Sequence, residues 1–497
     1  MATTIDRSPE GGVKLRKVLR RFDLVLFTAC AIVALDTVAF AAGIGGEVIF
    51  WLGIALIFFL LPYGMIVAEL GSAFPAEGGP YVWSRMAFGR LAGTTSAFLY
   101  WVANPVWLGG TIAATVIATL NSFVFDKPLG KWGEIAIALA YVWICFALAT
   151  VSLRWGKWAP NIGSIVKMVV VGIFVVLVIA FLVDNGRPSD TIVLSDLKPT
   201  TTGFLSAVGI LVFLLVGFEL SSGAGEEIVN PQRDVPAMIF ASGLIAALLY
   251  GLTIVGILLV IPRGVLTNVG SFTDAFSSVA SVLGGAARGF GYVFAALIII
   301  MLVGTGAVWL DGANRVQAAS ALDGAAPKWL GRFSKAGTPV NSNLAFAVSA
   351  SVFVFFVFMI TGGSLANFFT VMITLAISSA ALCYLFVIPA LLVLRKKHPD
   401  VERPYRVPGG KLGAWVCVIL TETFIVVTGI TLLWPGLIDS LFGQSYPMED
   451  IWGVSRVFFE TVTLGTFGAF ILISVAFWLV GKRDLARGDV REGVPRR

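Results

Sequence analysis

The sequence predicts an all-α, polytopic membrane protein with about 12 transmembrane helices. Three observations carry this. Of 497 residues, 58% are apolar and only 13% are charged, about half the charged share of a soluble domain. Mean hydropathy is +0.91. The apolar residues also fall in long runs, and a run of ~20 is what crosses a hydrocarbon core ~30 Å thick. A soluble globule of this composition would expose more apolar surface than stays dispersed in water.

Twelve runs lie between charged or Pro/Gly-rich breaks: residues 22–42, 48–70, 92–120, 132–152, 162–183, 203–225, 236–261, 287–311, 343–361, 367–393, 413–436 and 456–480. The cut between the first two is the least sharply marked, with Gly43, Gly45 and Gly46 beside Glu47. Together the runs form one transmembrane domain over 22–480, with a tail at 1–21 and another at 481–497. The first tail is polar and basic and lacks the apolar core of a signal peptide. No length remains for a separate soluble domain. Cys30, Cys145, Cys383 and Cys417 lie in apolar stretches without ligand-like spacing and read as small core residues. The single histidine, His398, sits in a charged loop, which argues against a His-based metal site or proton relay. No metal and no cofactor is expected.

Orientation follows from the loop cations. With the N-terminus in the cytoplasm, 27 of the 35 Lys and Arg fall inside and 7 outside, and Lys167 is left within a span. Both tails are therefore expected to be cytoplasmic, in a multi-pass protein of the cell membrane. The net charge of +6 reflects that topology and requires no nucleic-acid partner.

Ionisable residues inside a bilayer are costly, so each is a candidate for function. Asp36 lies in the first run, in Ala34-Leu35-Asp36-Thr37. It either serves function, caps a local break or pairs with another helix. Glu219 lies in the sixth run, in Val216-Gly217-Phe218-Glu219-Leu220-Ser221-Ser222-Gly223-Ala224-Gly225. Each glycine there costs ~1 kcal/mol against alanine in a helix. Unwound backbone at membrane depth is tolerated only against protein or a water-filled cavity. Close helix packing is the alternative use of the glycines, but it leaves Glu219 unexplained. Lys167 starts five residues into the fifth run and either snorkels to the interface or stands beside a cavity. Asp311, at the end of the eighth run, reads as interfacial and paired with Arg315 one turn on. The interrupted runs are the first and the sixth, five apart. Interruptions in corresponding positions of two repeats point to a transporter binding site. The repeats would cover about 22–183 and 203–393, with extra helices over 413–480.

Five segments resemble the amino acid–polyamine–organocation permease superfamily. They are Glu69-Leu70-Gly71 with Phe74-Pro75-Ala76-Glu77-Gly78-Gly79-Pro80-Tyr81 and Ala87-Phe88-Gly89; Gly217-Phe218-Glu219 with Gly225-Glu226-Glu227-Ile228-Val229-Asn230-Pro231-Gln232-Arg233-Asp234-Val235-Pro236; Asp323-Gly324 with Pro327 and Gly337-Thr338-Pro339; His398-Pro399-Asp400 with Arg403-Pro404-Tyr405-Arg406-Val407-Pro408-Gly409; and Lys167 in its apolar setting. The second is the most specific. The resemblance implies a five-plus-five inverted repeat of the bacterial leucine transporter kind plus two helices. It also implies discontinuous spans 1 and 6, and alternating access around a site between spans 1, 3, 6, 8 and 10. In proton-coupled members a fifth-span lysine takes the place of a sodium ion, and Lys167 looks like that residue. Glu219 matches an acid of the arginine–agmatine antiporter tied to proton sensing, and Phe213 matches a gating aromatic position.

The first span departs from the family's Gly-x-Gly, whose free amides hold a substrate carboxylate. This chain has Ala34-Leu35-Asp36 there. An ionised Asp36 would repel a carboxylate and attract an ammonium; the alternatives are that Asp36 is protonated or turned away from the site. The expectation is a secondary transporter of amino acids or related amines, coupled to protons. Asp36, Thr37, Asn104, Trp107, Phe213, Gly217, Glu219 and Ser222 would face the solute, and Lys167 and Glu219 would exchange protons. A polyamine exchanger and a channel-like facilitator are the alternatives. An enzyme is not expected, since no activated nucleophile, metal cluster or cofactor loop is visible. The sequence does not set the oligomeric state.

Overall fold

A computed structural model describes residues 17, 19–150, 158–186, 188, 191–262, 271–334, 337–441 and 455–488. Most of both tails lies outside these residues. Eleven helices among the described residues are long and apolar enough to span a membrane, and a bent pair makes a twelfth span. Span 1 is that pair, Arg21–Ile32 and Leu35–Gly43, bent by 42°. Spans 2 to 5 are Glu47–Ala73, Arg90–Phe123, Lys131–Thr150 and Trp158–Asn185. Span 6 is Thr201–Leu215 followed by a tighter helical segment, Phe218–Glu227. Spans 7 to 9 are Pro231–Val260, Ala287–Leu322 and Val340–Ile360. Span 10 is Leu365–Val387, continued past Pro389 by Ala390–Lys397. Spans 11 and 12 are Gly410–Leu433 and Arg456–Ala486. The end of the bundle that bears Leu19 and the even-to-odd connections is called the basic face below.

The expected spans match these within a few residues, with two differences. Span 8 was expected to end at 311 and runs to Leu322. The charges of Asp311 and Arg315 do not stop it because they are answered inside the bundle: Arg315 Nε lies 3.1 Å from Asp311 one turn earlier. The second is an additional helix, Ser271–Ala280, on the opposite face. It packs against spans 5 and 7 and the second half of span 1, and it is too short to register as a span. The four cysteines are buried and free, as core residues.

The most extensive helix contacts are span 3 with span 10 and span 5 with span 8. Exchanging each span for its counterpart five positions away, 3 for 8 and 10 for 5, converts the first pair into the second. Both contacts rest on glycine. A Cβ on Gly304 of span 8 would lie 2.9 Å from Gly163 Cα of span 5, and one on Gly110 of span 3 would run into the Met372 side chain of span 10. Backbones this close gain dispersion contacts where lipid offers no hydrophobic drive for association.

On the basic face, one buried carboxylate ties span 2 to the connection between spans 10 and 11. Glu69 is 1% exposed. It accepts from Arg395 Nε at 2.7 Å and Nη2 at 2.5 Å, and from the Val407 amide at 2.7 Å. Arg403 Nε lies 3.3 Å away. Removing one partner of a buried ion pair costs about 3–5 kcal/mol, because the other charge stays behind. Glu69→Gln is accordingly expected to lower the thermal unfolding temperature of the purified protein markedly. An unchanged temperature would refute this anchoring role.

Candidate functional site

The site begins with missing backbone hydrogen bonds. Span 1 loses its helix at Val33 and Ala34, whose ψ angles are 92° and 84°. Span 6 loses its helix at Val216 and Gly217, where Gly217 has φ 122°. A side chain there would be strained and would also press on Trp309. Carbonyls freed at membrane depth need donors, and side chains from three other spans supply them. Lys167 Nζ of span 5 donates to Cys30 O and Val33 O, each at 2.5 Å. Trp309 Nε1 of span 8 donates to Ala31 O at 2.9 Å. The Tyr250 hydroxyl of span 7 bonds the Ile32 carbonyl, lies 3.0 Å from Leu214 O and accepts from Ala34 N at 2.8 Å. Tyr250 thereby joins the break in span 1 to the break in span 6.

Between the breaks lies a cavity of about 20 Å³, walled by spans 1, 3, 6, 8 and 10. That is room for about one water. Asn104, Trp107 and Phe213 line it, with Tyr100, Trp309 and Tyr384. The Phe213 and Trp309 rings each meet the Trp107 ring nearly edge-on, with centroids 5.4 Å apart. The Tyr100 hydroxyl is buried and has no hydrogen-bond partner among the described residues. Asn104 Nδ2 is spent on Tyr100 O, one turn back, at 2.7 Å.

Two carboxyl groups stand one side chain behind this wall. Asp36 Oδ2 accepts from Trp107 Nε1 at 2.9 Å and from Thr111 Oγ1 at 3.1 Å. Its Oδ1 is buried without a donor among the described residues. Span 3 widens into a π-helical turn at Leu108–Ile112, the turn that brings Thr111 to Asp36. Such turns recur at functional sites. Glu219 is fully buried and accepts from Tyr384 Oη at 2.7 Å and from the Tyr63 hydroxyl. The remaining expected residues sit apart from the cavity. Thr37 donates to Ala34 O at 3.0 Å and trims the break. Gly217 forms the break of span 6. Ser222 packs against Gly71 and Gly79 on the basic side.

Charge seals the basic face. Arg315 has no exposed surface. Its Nη1 lies 2.8 Å from Glu77 and 2.8 Å from Glu227, beyond the Asp311 contact, and its Nη2 donates to Gly337 O at 3.3 Å. Three carboxyl groups thus meet one guanidinium. Burial pushes the Glu77 carboxyl, in the connection between spans 2 and 3, up to about 8, although Arg315 pulls it down. A proton on Glu77 reduces the negative excess. The opposite side is thinner. A second cavity of about 280 Å³ is lined by Gly209 and Ile210 of span 6 and Ile377 of span 10. Phe213 and Ala380 of the central cavity follow one helical turn on, ~5 Å.

Sequence reading did not single out Trp309, Tyr250, Tyr63, Tyr100 or Tyr384. A usable signal existed, because a buried tyrosine hydroxyl or indole N–H within a span needs a partner. Tyr250→Phe removes the hydroxyl from both breaks. Each buried group left unpaired costs about 1–3 kcal/mol, so this variant should unfold at a distinctly lower temperature. A variant as stable as the parent would show that the two breaks are not held through Tyr250.

Comparison with known proteins agrees with this geometry. An uncharacterised transporter of Legionella pneumophila is 30% identical over 405 residues, 80% of this chain and 85% of the relative. A probable agmatine/putrescine antiporter of Lactococcus lactis is 27% identical over 409 residues, 82% of this chain and 86% of its own. An L-methionine/branched-chain amino acid exporter of Escherichia coli is 25% identical over 276 residues, 55% of this chain and 57% of its own. The amino acid permease profile matches residues 19–438, nearly all of the bundle, and the chain belongs to the amino acid permease family.

Proposed function

We propose that this chain is a secondary active transporter of small amine-bearing solutes, working by alternating access and coupled to protons. One observation carries the choice of solute. Where free amides would receive a carboxylate, the second half of span 1 brings Asp36, with Oδ1 buried and unmatched by any donor among the described residues. An ammonium has donors only and suits that oxygen and the Tyr100 hydroxyl. A carboxylate is repelled by that oxygen, although it could accept from the Tyr100 hydroxyl. The relative named as a probable agmatine/putrescine antiporter supports the same chemistry. Zwitterionic amino acids held through the amino group fit the reading as well.

The mechanism follows from which contacts can change. The two broken spans are hinged at Val33–Ala34 and Val216–Gly217, and the pairing of spans 3 with 10 and 5 with 8 supports a repeat relating 22–183 to 203–393. The closed Arg315 cluster and the thin partition at Phe213 support the reading of an occluded state whose easier exit is away from the basic face. The loop charges favour a cytoplasmic basic face in the cell membrane. Lys167 holds the first half of span 1 by two carbonyls. A protonated amine holds them with charge-assisted bonds, about twice as strong as neutral ones, so loss of its proton loosens the hinge. Glu219, held between Tyr63 and Tyr384, is the second proton-exchanging group. Its partner Tyr384 lines the cavity, so solute and proton meet through one hydroxyl.

Uptake into proteoliposomes under an imposed pH gradient tests the proposal, with labelled putrescine, agmatine and neutral amino acids. Gradient-driven uptake of at least one amine is expected, and no gradient-dependent uptake of any of them would sink it. Lys167→Ala should abolish the pH dependence of uptake, and an unaltered pH profile would remove Lys167 from the coupling. Asp36→Asn should raise KM for a transported amine by roughly 10- to 100-fold, the worth of one hydrogen bond to a charged group. A KM within twofold of the parent would show that Asp36 does not read the amine.

A further inference from the structure

The cavity of about 280 Å³ on the opposite face is large enough for several heavy atoms, whereas the central one holds about one water. Its lining includes Glu47, the first residue of span 2, and the hydroxyl residues Thr202, Ser206, Thr370, Thr374 and Thr431. Among the described residues, no lysine or arginine lines it. Two features make this more than a gap between helices.

The first is that the carboxylate is built into place. Glu47 Oε2 accepts from the Thr200 amide at 3.0 Å and from Thr200 Oγ1 at 2.9 Å. The carboxylate rests directly on Gly203, where any Cβ would collide with it. No cation is paired with it among the described residues, in contrast to Glu69, Glu77, Glu227 and Asp323, each of which meets an arginine. The second feature is the polarity of the wall. Thr374 Oγ1 donates to Thr370 O at 2.9 Å, and Thr431 Oγ1 donates to Val427 O at 3.0 Å. A hydroxyl whose proton is committed to its own helix shows the cavity only lone pairs. The wall therefore combines a fixed anion with acceptor oxygens. The group complementary to such a wall is one with donors alone and a positive charge.

We propose that this chamber is a second, outer solute site that binds an alkylammonium group, with Glu47 as its anion. It draws on the preceding reading only in taking the solute to be an amine. The site stands one helical turn from the central cavity along spans 6 and 10, so an amine held there waits directly behind Phe213. Glu47 selects cations before the central site is reached, and an anionic solute is repelled at the same point.

The test needs no transport. Ser206 is exposed on the chamber wall, and Cys30, Cys145, Cys383 and Cys417 are all buried, so Ser206→Cys supplies one reactive thiol. Its modification is timed with a trimethylammonium-bearing methanethiosulfonate and with a sulfonate-bearing one. With each rate expressed relative to that reagent's rate with free cysteine, whose thiolate itself favours the cation, the cationic reagent should react ~10-fold faster or more, as fields focused in clefts permit, and millimolar putrescine should slow it several-fold. Adding Glu47→Gln should bring the two rates together and remove the protection. Equal rates with Glu47 present, or a preference that survives Glu47→Gln, would overturn the proposal. If Glu47→Gln does not accumulate as folded protein, Thr374→Val takes its place. Loss of putrescine protection then supports the site, and full protection counts against it. Charge preference and protection in a protein that transports no amine would leave the outer site standing and remove the transport reading. Amine transport without protection would do the reverse.

Discussion

The structure depends on how two stretches of unwound backbone are satisfied in the middle of a bilayer. An unpaired peptide group costs several kcal/mol in hydrocarbon, so spans 1 and 6 can break only where donors and acceptors arrive from outside them. Lys167, Trp309 and Tyr250 supply these, from spans 5, 8 and 7. The site is consequently not an addition to the bundle. The helices that make it are held in register by the same contacts that make the breaks possible. A change in any one donor alters both the hinge and the wall of the cavity.

Much of the fold was legible because the bilayer imposes a simple rule on composition. Runs of ~20 apolar residues located eleven spans closely, and the rule failed where charge was compensated internally. Span 8 continues through Asp311 and Arg315 because Arg315, besides its local pair with Asp311, meets Glu77 and Glu227 from distant positions. No local pattern reveals such a pairing. Within the site, Asp36, Lys167 and Glu219 were legible because a charge in an apolar run stands out. Trp309, Tyr250 and Tyr384 were not, since an aromatic in an apolar run looks like any core residue until its polar tip is seen to meet a carbonyl or a carboxylate. Glu422, near the middle of span 11, was legible by the same rule and was passed over. Its Oε1 is buried with no hydrogen-bond partner among the described residues.

The two sides of the central cavity are closed by different physics. The basic face is held by buried ion pairs around Arg315 and by Arg85, Arg90 and Tyr81 around Asp323. Parting such groups requires that water or new partners replace them, or that a carboxyl take up a proton. The N-terminal segment is tied to the same region, because Leu19 exchanges backbone hydrogen bonds with Glu227 and Val229. The start of span 1 and the end of span 6 are thus bound to each other. At the other end, one turn of helix and the ring of Phe213 separate the cavities. Rotating an aromatic ring breaks no hydrogen bond, so the intrinsic cost of opening there is lower.

Under the proposed reading, Asp36 re-aims a family site without new architecture. The break of span 1 and the lysine, tyrosine and tryptophan that satisfy it do not require an acid at position 36. Their hydrogen bonds go to backbone atoms of residues 30 to 34. What the acid adds is a carboxylate fixed by Trp107 and Thr111 at the start of the second half-helix, where the N-terminal dipole already favours a negative group. That dipole would otherwise serve a solute carboxylate. Placing Asp36 there spends it on a protein carboxylate instead, which on the proposed function turns the local preference from anion to cation. The inversion needs one side chain and its two donors, and it leaves the hinge unchanged.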